Sequence, residues 1–121
     1  MLTPLELDIM KAVWLRPPIT VRGVQEAIRP GRRLAYTTVM TIMDRLHHKG
    51  FLSRTLQSRT HHYEPAIGYS EVRDEAVEML IKSFFGSKEK LQQFLDGDAN
   101  DAPPKIPPVH AAASRLDETL L

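Results

Sequence analysis

The 121-residue chain contains no cysteine. Disulfide staples and thiolate metal sites are therefore excluded, and a reducing compartment suits such a chain. Long apolar runs are missing too, with nothing approaching the roughly 20 residues that cross a bilayer. The N-terminal stretch MLTPLELDIMKAVWL carries acids inside its apolar pattern, unlike a secretory signal. A cytoplasmic protein without membrane insertion is the expectation. The sequence also lacks a nucleophile motif, a Gly-rich phosphate loop and an HExxH pattern, so neither an enzyme nor a cofactor is expected.

What is present is a charge asymmetry hidden under a net charge of +1. Residues 1–69 hold ten Lys and Arg against five acids, a balance of +5, and the remaining residues hold six against ten, a balance of −4. A basic front and an acidic back point to a polyanionic partner for the front alone.

The most informative stretch is AYTTVMTIMDRLHHKG, Ala35 to Gly50. Val39, Ile42, Met43 and Leu46 recur at three- and four-residue steps, which makes one apolar stripe on a helix from Tyr36 to Lys49. The other side carries Thr37, Thr38, Thr41, Arg45 and His48, a face of hydroxyls and donors. Such a helix is about 21 Å long, enough to lie across a DNA major groove. Gly50, tolerant of positive φ, ends it.

Around it the chain reads as a small domain. Thr3 and Pro4 start a helix to Leu15 whose apolar residues are Leu5, Ile9, Met10, Val13 and Trp14, with Met10, Trp14 and Met43 expected in the core. Pro17 and Pro18 stop it, Ile19-Thr20-Val21 is too short for more than a token strand, and Thr20 caps a second helix. After Gly50 the pattern turns strand-like. Phe51 to Leu56 and Thr60 to Glu64 flank the polar tip Gln57-Ser58-Arg59, a hairpin. Three helices followed by a hairpin with a basic tip is the order of a winged helix-turn-helix.

Ser70 is the expected cap of a further helix to Phe85. Its apolar residues Val72, Ala76, Val77, Met79, Leu80, Ile81, Phe84 and Phe85 are too many for one stripe, so a second copy of the chain is the expected partner there. Lys88 to Leu95 forms one more short helix. Asp96 to Pro108, with acids and prolines, is a linker, and Ala111 to Leu121 a weak terminal helix. The fold class is thus mainly α with a small β-hairpin: a DNA-binding domain at 1–69, a helical dimerisation region at 70–95 and a proline-rich tail at 96–121.

The runs LTPLELDIMKAVW, AYTTVMTIMDRLHHKGFLSR and HYEP resemble the penicillinase-repressor family of bacterial transcriptional regulators, the BlaI/MecI/CopY group, over roughly residues 2 to 86. The resemblance implies a homodimeric repressor on a dyad DNA operator, controlling β-lactam-response or other stress genes. Its recognition positions fall on Tyr36, Thr37, Thr38, Thr41 and Arg45, the face that periodicity picks out. The copper-responsive branch uses a cysteine hook that this chain lacks. In the β-lactam branch a membrane sensor protease triggers cleavage at an Asn-Phe bond, and the matching position here is Gln93-Phe94.

Individual residues carry alternatives. Arg45 reads a guanine or clamps a phosphate, or else pairs with Asp44 or Glu64 on the surface. Thr37, Thr38 and Thr41 suit phosphates and thymine methyls, or are simply solvated. Arg59 at the wing, with Arg32 and Arg33 before the helix, suits phosphates. The pairs His47-His48 and His61-His62, with Glu64, invite a metal-dependent hydrolase, but adjacent histidines point apart and no metal site is expected. The remaining alternative is a winged helix used as a protein-interaction module.

Overall fold

Thr3 and Glu6 cap each other. In the computed structural model, which describes residues 1–98 and 102–106, Thr3 Oγ1 accepts the Glu6 N–H at 3.2 Å and Glu6 Oε1 accepts the Thr3 N–H at 2.9 Å. This reciprocal capping box, with proline at the first helical position, starts helix α1, Pro4–Leu15. Ile9, Met10 and Val13 repeat at helical spacing and are fully buried. Each large side chain so buried stabilises the fold by about 1.5 to 3 kcal/mol.

Helix α2, Val21–Ile28, is capped by Thr20, whose hydroxyl oxygen accepts the Gly23 N–H at 3.1 Å. Gly23 is required by proximity, because a Cβ there would lie 2.7 Å from Ile19 Cγ1. Helix α3, Tyr36–His48, buries Val39, Ile42, Met43 and Leu46 against α1 and α2, the stripe expected from the sequence. It ends one residue before the expected Lys49, at a turn where Gly50 has φ +88°.

Strands β1, Leu52–Gln57, and β2, Thr60–Pro65, pair antiparallel, with Leu52 opposite Pro65 and Gln57 opposite Thr60. Their limits lie within one residue of the expected ones. Leu52 and Tyr63 turn inward to close the core, and Ile19 adds one bridge beside Tyr63, its N–H donating to the Tyr63 carbonyl at 3.0 Å and its carbonyl accepting at 2.8 Å. The token strand is that single bridge. Trp14 is half-buried rather than a core residue like Met10 and Met43: its Nε1–H reaches the Ile67 carbonyl at 3.0 Å and its ring meets Tyr69 edge-on at 5.4 Å. An indole kept at the rim satisfies its donor there. Three helices and a two-stranded wing make this part a winged helix-turn-helix.

Helix α4, Tyr69–Leu80, begins one residue before Ser70, so Ser70 lies inside the helix and does not cap it. Gly68 supplies the first carbonyl instead, accepting the Val72 N–H at 3.2 Å. The expected helical run to Phe85 is completed not in α form but as a π-helical turn, Ile81–Phe85, closed by Gly86 at φ +84°. The chain divides into two compact units, Met1–Ala76 and a second one beginning at Val77. In the second unit helix α5, Lys88–Leu95, is capped by the Ser87 side chain and packs on the π-turn, with the Phe85 and Phe94 rings 5.3 Å apart. The terminal helix expected over 111–121 and part of the linker lie outside the described residues. Among the described residues no helix is long and apolar enough to cross a membrane.

Candidate nucleic-acid interface

The buried stripe of α3 fixes what its other side presents. With Val39, Ile42, Met43 and Leu46 inward, Tyr36, Thr37, Thr38, Thr41, Arg45 and His48 are all exposed. Thr41 spends its hydroxyl proton on its own helix, donating to the Thr37 carbonyl at 2.9 Å. The residue stays exposed, with its oxygen still able to accept. His48 turns back as well, its Nδ1 lying 2.8 Å from the Asp44 carbonyl oxygen.

The acids of this unit sort its cations into two groups. Asp8 accepts from Arg32 Nε at 2.7 Å, Glu6 from Lys49 Nζ at 3.1 Å, and Asp44 from Arg54 Nη1 at 2.8 Å. The Arg32 and Arg54 guanidiniums hold the carboxyls of Asp8 and Asp44 below the usual carboxylate range. Arg33, Arg45 and Arg59, like Lys11, Arg16, Arg22 and Arg29, make no ion pair with an acid among the described residues. Neither Asp44 nor Glu64 takes Arg45, since Asp44 is occupied from β1. Arg45 therefore stands free on the exposed face, while Arg32 is charge-matched before any ligand arrives.

The wing presents Arg59 at its tip. Ser58 and Arg59 form the two-residue turn between Gln57 and Thr60, and both are left-handed, at φ 50° and 67°. Two central residues at positive φ make the turn type that matches the twist of a tight hairpin, normally occupied by Asn-Gly. Here it carries a serine and an arginine.

Two residues outside the sequence candidates join the site. Arg54 on β1 donates to Asp44 on α3 and, at 3.4 Å, to the Tyr63 hydroxyl, tying the wing to the helix. Arg22, in the first turn of α2, holds its guanidinium over the Tyr36 ring, 5.6 Å from the centroid. The one sequence signal for Arg22 is its place just after the Thr20 cap, in the helix preceding α3.

The histidines do not assemble. His47 Nδ1 lies 3.0 Å from the Leu52 carbonyl oxygen and His62 Nδ1 3.2 Å from that of Thr60. Among the described residues no three His, Asp or Glu side chains could share an ion. Of the residues considered for self-association, Val72 and Ala76 lie in the first unit and Val77, Met79, Leu80, Ile81 and Phe84 in the second. Val77, Met79, Leu80 and Phe84 are exposed, Phe84 at 68%. Gln93 and Phe94 lie within α5.

Residues 2–102 match the family model for penicillinase repressors. The transcriptional regulator BlaI of Mycobacterium tuberculosis is 44% identical over 78 residues, covering 64% of this chain and 54% of that protein. The chain thus spans about half the length of that curated relative. The solution structure of monomeric BlaI from Bacillus licheniformis, in complex with the blaP half-operator, superimposes with a TM-score of 0.51 at 27% identity, covering 59% of this chain and 87% of that one. MarR from E. coli, at 14% identity and a TM-score of 0.53 over 98% of this chain and 75% of its own, shares the fold alone.

Proposed function

The chain belongs to the penicillinase repressor family, and from that membership we propose that it is a cytoplasmic, non-enzymatic transcriptional repressor that binds a dyad DNA operator as a homodimer. The observation that carries this reading is the exposed face of α3, where Arg45 is uncompensated and the threonines are outward, on a unit whose surrounding acids already hold Arg32, Lys49 and Arg54. The likeness to a BlaI that was solved on a half-operator supports it. A protein-interaction module would have no use for a cationic groove face left unpaired.

In this reading residues 1–69 bind DNA, residues 70–95 dimerise and residues 96–121 are a tail. Tyr36, Thr37, Thr38, Thr41 and Arg45 enter the major groove. Arg59 and Arg33 meet the phosphate backbone, and Arg32 contributes less because Asp8 neutralises it. Val72, Ala76, Val77, Met79, Leu80, Ile81 and Phe84 form the two-fold contact. A sensor-protease pathway would act at Gln93-Phe94, and cutting there removes Phe94 from Phe85 and loosens the dimerising part.

Operator duplexes selected from genomic fragments test the reading. Arg45→Ala and Thr38→Ala are each expected to weaken operator binding by about 1 to 3 kcal/mol if the residue reads a base, with a smaller loss on random duplex. Unchanged operator affinity in both variants would remove α3 from the contact.

A further inference from the structure

Arg22 is a cation with a platform and no counterion. Its guanidinium carbon lies 5.6 Å from the centre of the Tyr36 ring, and Tyr36 is the first residue of α3, 41% exposed. The stack therefore joins the N-terminal turns of the two helices of the helix-turn-helix. A second stack of the same kind, Arg73 over Tyr69 at 5.6 Å, differs in one respect: Arg73 is also paired with Asp74 at 3.0 Å. Arg22 has no acidic partner among the described residues. Its nearest partner is an aromatic face, which attracts the guanidinium without neutralising it.

We propose that Arg22 and Tyr36 form a phosphate clamp, in which the Tyr36 ring holds the Arg22 guanidinium flat so that its edge N–H groups grip a backbone phosphate of the bound duplex. This rests on the DNA-binding reading of α3. A planar fork presents two parallel donors to phosphate oxygens, which is the arrangement that makes arginine, and not lysine, the bidentate phosphate ligand. Holding the fork in place beforehand lowers the conformational entropy lost when the phosphate arrives. The clamp carries no base information. It sets the register of α3 by anchoring the corner where the helix begins. Beside its place on the groove face, Tyr36 is then a positioning residue for Arg22.

The test uses the full chain and two probes, a labelled random-sequence duplex and the genomic duplex it selects, each titrated over a range of salt. Arg22→Ala should weaken both by about tenfold, the fold-change equivalent of one charge-assisted hydrogen bond, and lower the salt slope by about one. Arg22→Lys should keep the slope and lose part of the affinity. On random duplex, where a base contact by Tyr36 carries no weight, Tyr36→Leu should weaken binding in the wild-type background and cost little more on top of Arg22→Ala, because there the ring acts through the arginine. Full additivity of Tyr36→Leu and Arg22→Ala on random duplex would overturn the clamp, as would Arg22→Ala with wild-type affinity and slope while Arg45→Ala still weakens operator binding. A wild-type chain that binds neither duplex at any salt overturns the repressor reading itself, so the two failures are told apart. Arg22 is exposed, so its substitution leaves the core intact, and thermal unfolding of each variant verifies the fold.

Discussion

Glu6 is 5% exposed and carries a charge, a combination that folded proteins accept only when the charge is paired and hydrogen-bonded. The carboxylate accepts the Thr3 N–H at 2.9 Å and the Lys49 ammonium at 3.1 Å, so it joins the start of α1 to the residue that follows α3. The Thr3 N–H first, and Lys49 after it, hold the carboxyl below the usual range, with burial working in the opposite direction. A depressed carboxylate pKa stabilises the fold fully above the unfolded value and loses that contribution as pH falls through the folded one. Wild type should therefore lose stability as pH falls through and below the ordinary carboxylate value of 4.5 more steeply than Glu6→Gln, whose side chain does not titrate there. At pH 7 the variant should be less stable by about 1 kcal/mol, because the amide keeps an acceptor for the Thr3 N–H and loses the charge that Lys49 pairs with. Urea midpoints of both proteins across that window check it, and parallel pH profiles would show that Glu6 is not the group responsible. Charge matching at Glu6 and Asp8 was not legible in the sequence. Asp8 and Arg32 are 24 residues apart, and nothing local in either segment encodes their pairing.

At the scale of elements, local patterns explain what could be read and long-range contacts what could not. Thr3-Pro4, Thr20 and the stripe from Val39 to Leu46 each act within one or two helical turns, and α1 and α2 start where their caps stand, while α3 follows Ala35 with no side-chain cap. Ser70 failed as a cap because Gly68 already offers its carbonyl to Val72 and Tyr69 is drawn against Trp14, starting the helix earlier. The π-turn at Ile81–Phe85 keeps the apolar content of a helix and changes only its hydrogen-bond step, which residue spacing does not record. The wing shows a different conflict. Ser58 and Arg59 occupy left-handed positions that Asn and Gly would fill with less strain. Ser58→Asn should raise hairpin and domain stability by roughly 0.5 to 1 kcal/mol with DNA affinity unchanged. Arg59→Gly should also stabilise, but weaken binding to all duplexes about equally and lower the salt slope by about one, since one phosphate contact is lost. Thermal melts and salt-titrated binding of the two variants separate these effects. Arg59→Gly that binds like wild type would leave the strained arginine without a purpose at the wing.

For the molecule as a whole, the second unit must explain a set of apolar side chains left in water. Phe84 is 68% exposed and Leu95 65%, with Val77, Met79 and Leu80 exposed as well, while Phe85 and Phe94 pack on each other. The acidic balance of this half argues against a nucleic-acid partner for it, so on the proposed reading a second copy of the chain covers the patch. Two-fold pairing would place two α3 helices on half-sites about 34 Å apart, or a multiple of that, on one face of the duplex. The second half-site contact then becomes intramolecular, which raises occupancy by about 10² to 10⁴ without any new DNA contact. Leu80→Asp combined with Phe84→Asp examines this in the full chain. Both side chains are already exposed, so the charges should cost the monomer little stability. They should nonetheless separate the dimer by desolvating carboxylates in an apolar contact. Sedimentation should shift from dimer to monomer, and operator affinity should fall by orders of magnitude while thermal unfolding of the winged helix stays near wild type. The salt slope per bound chain should not change, because no phosphate contact has been touched. A wild-type chain that sediments as a monomer, or a doubly substituted one that keeps full operator affinity, would show that this apolar surface serves something other than self-association.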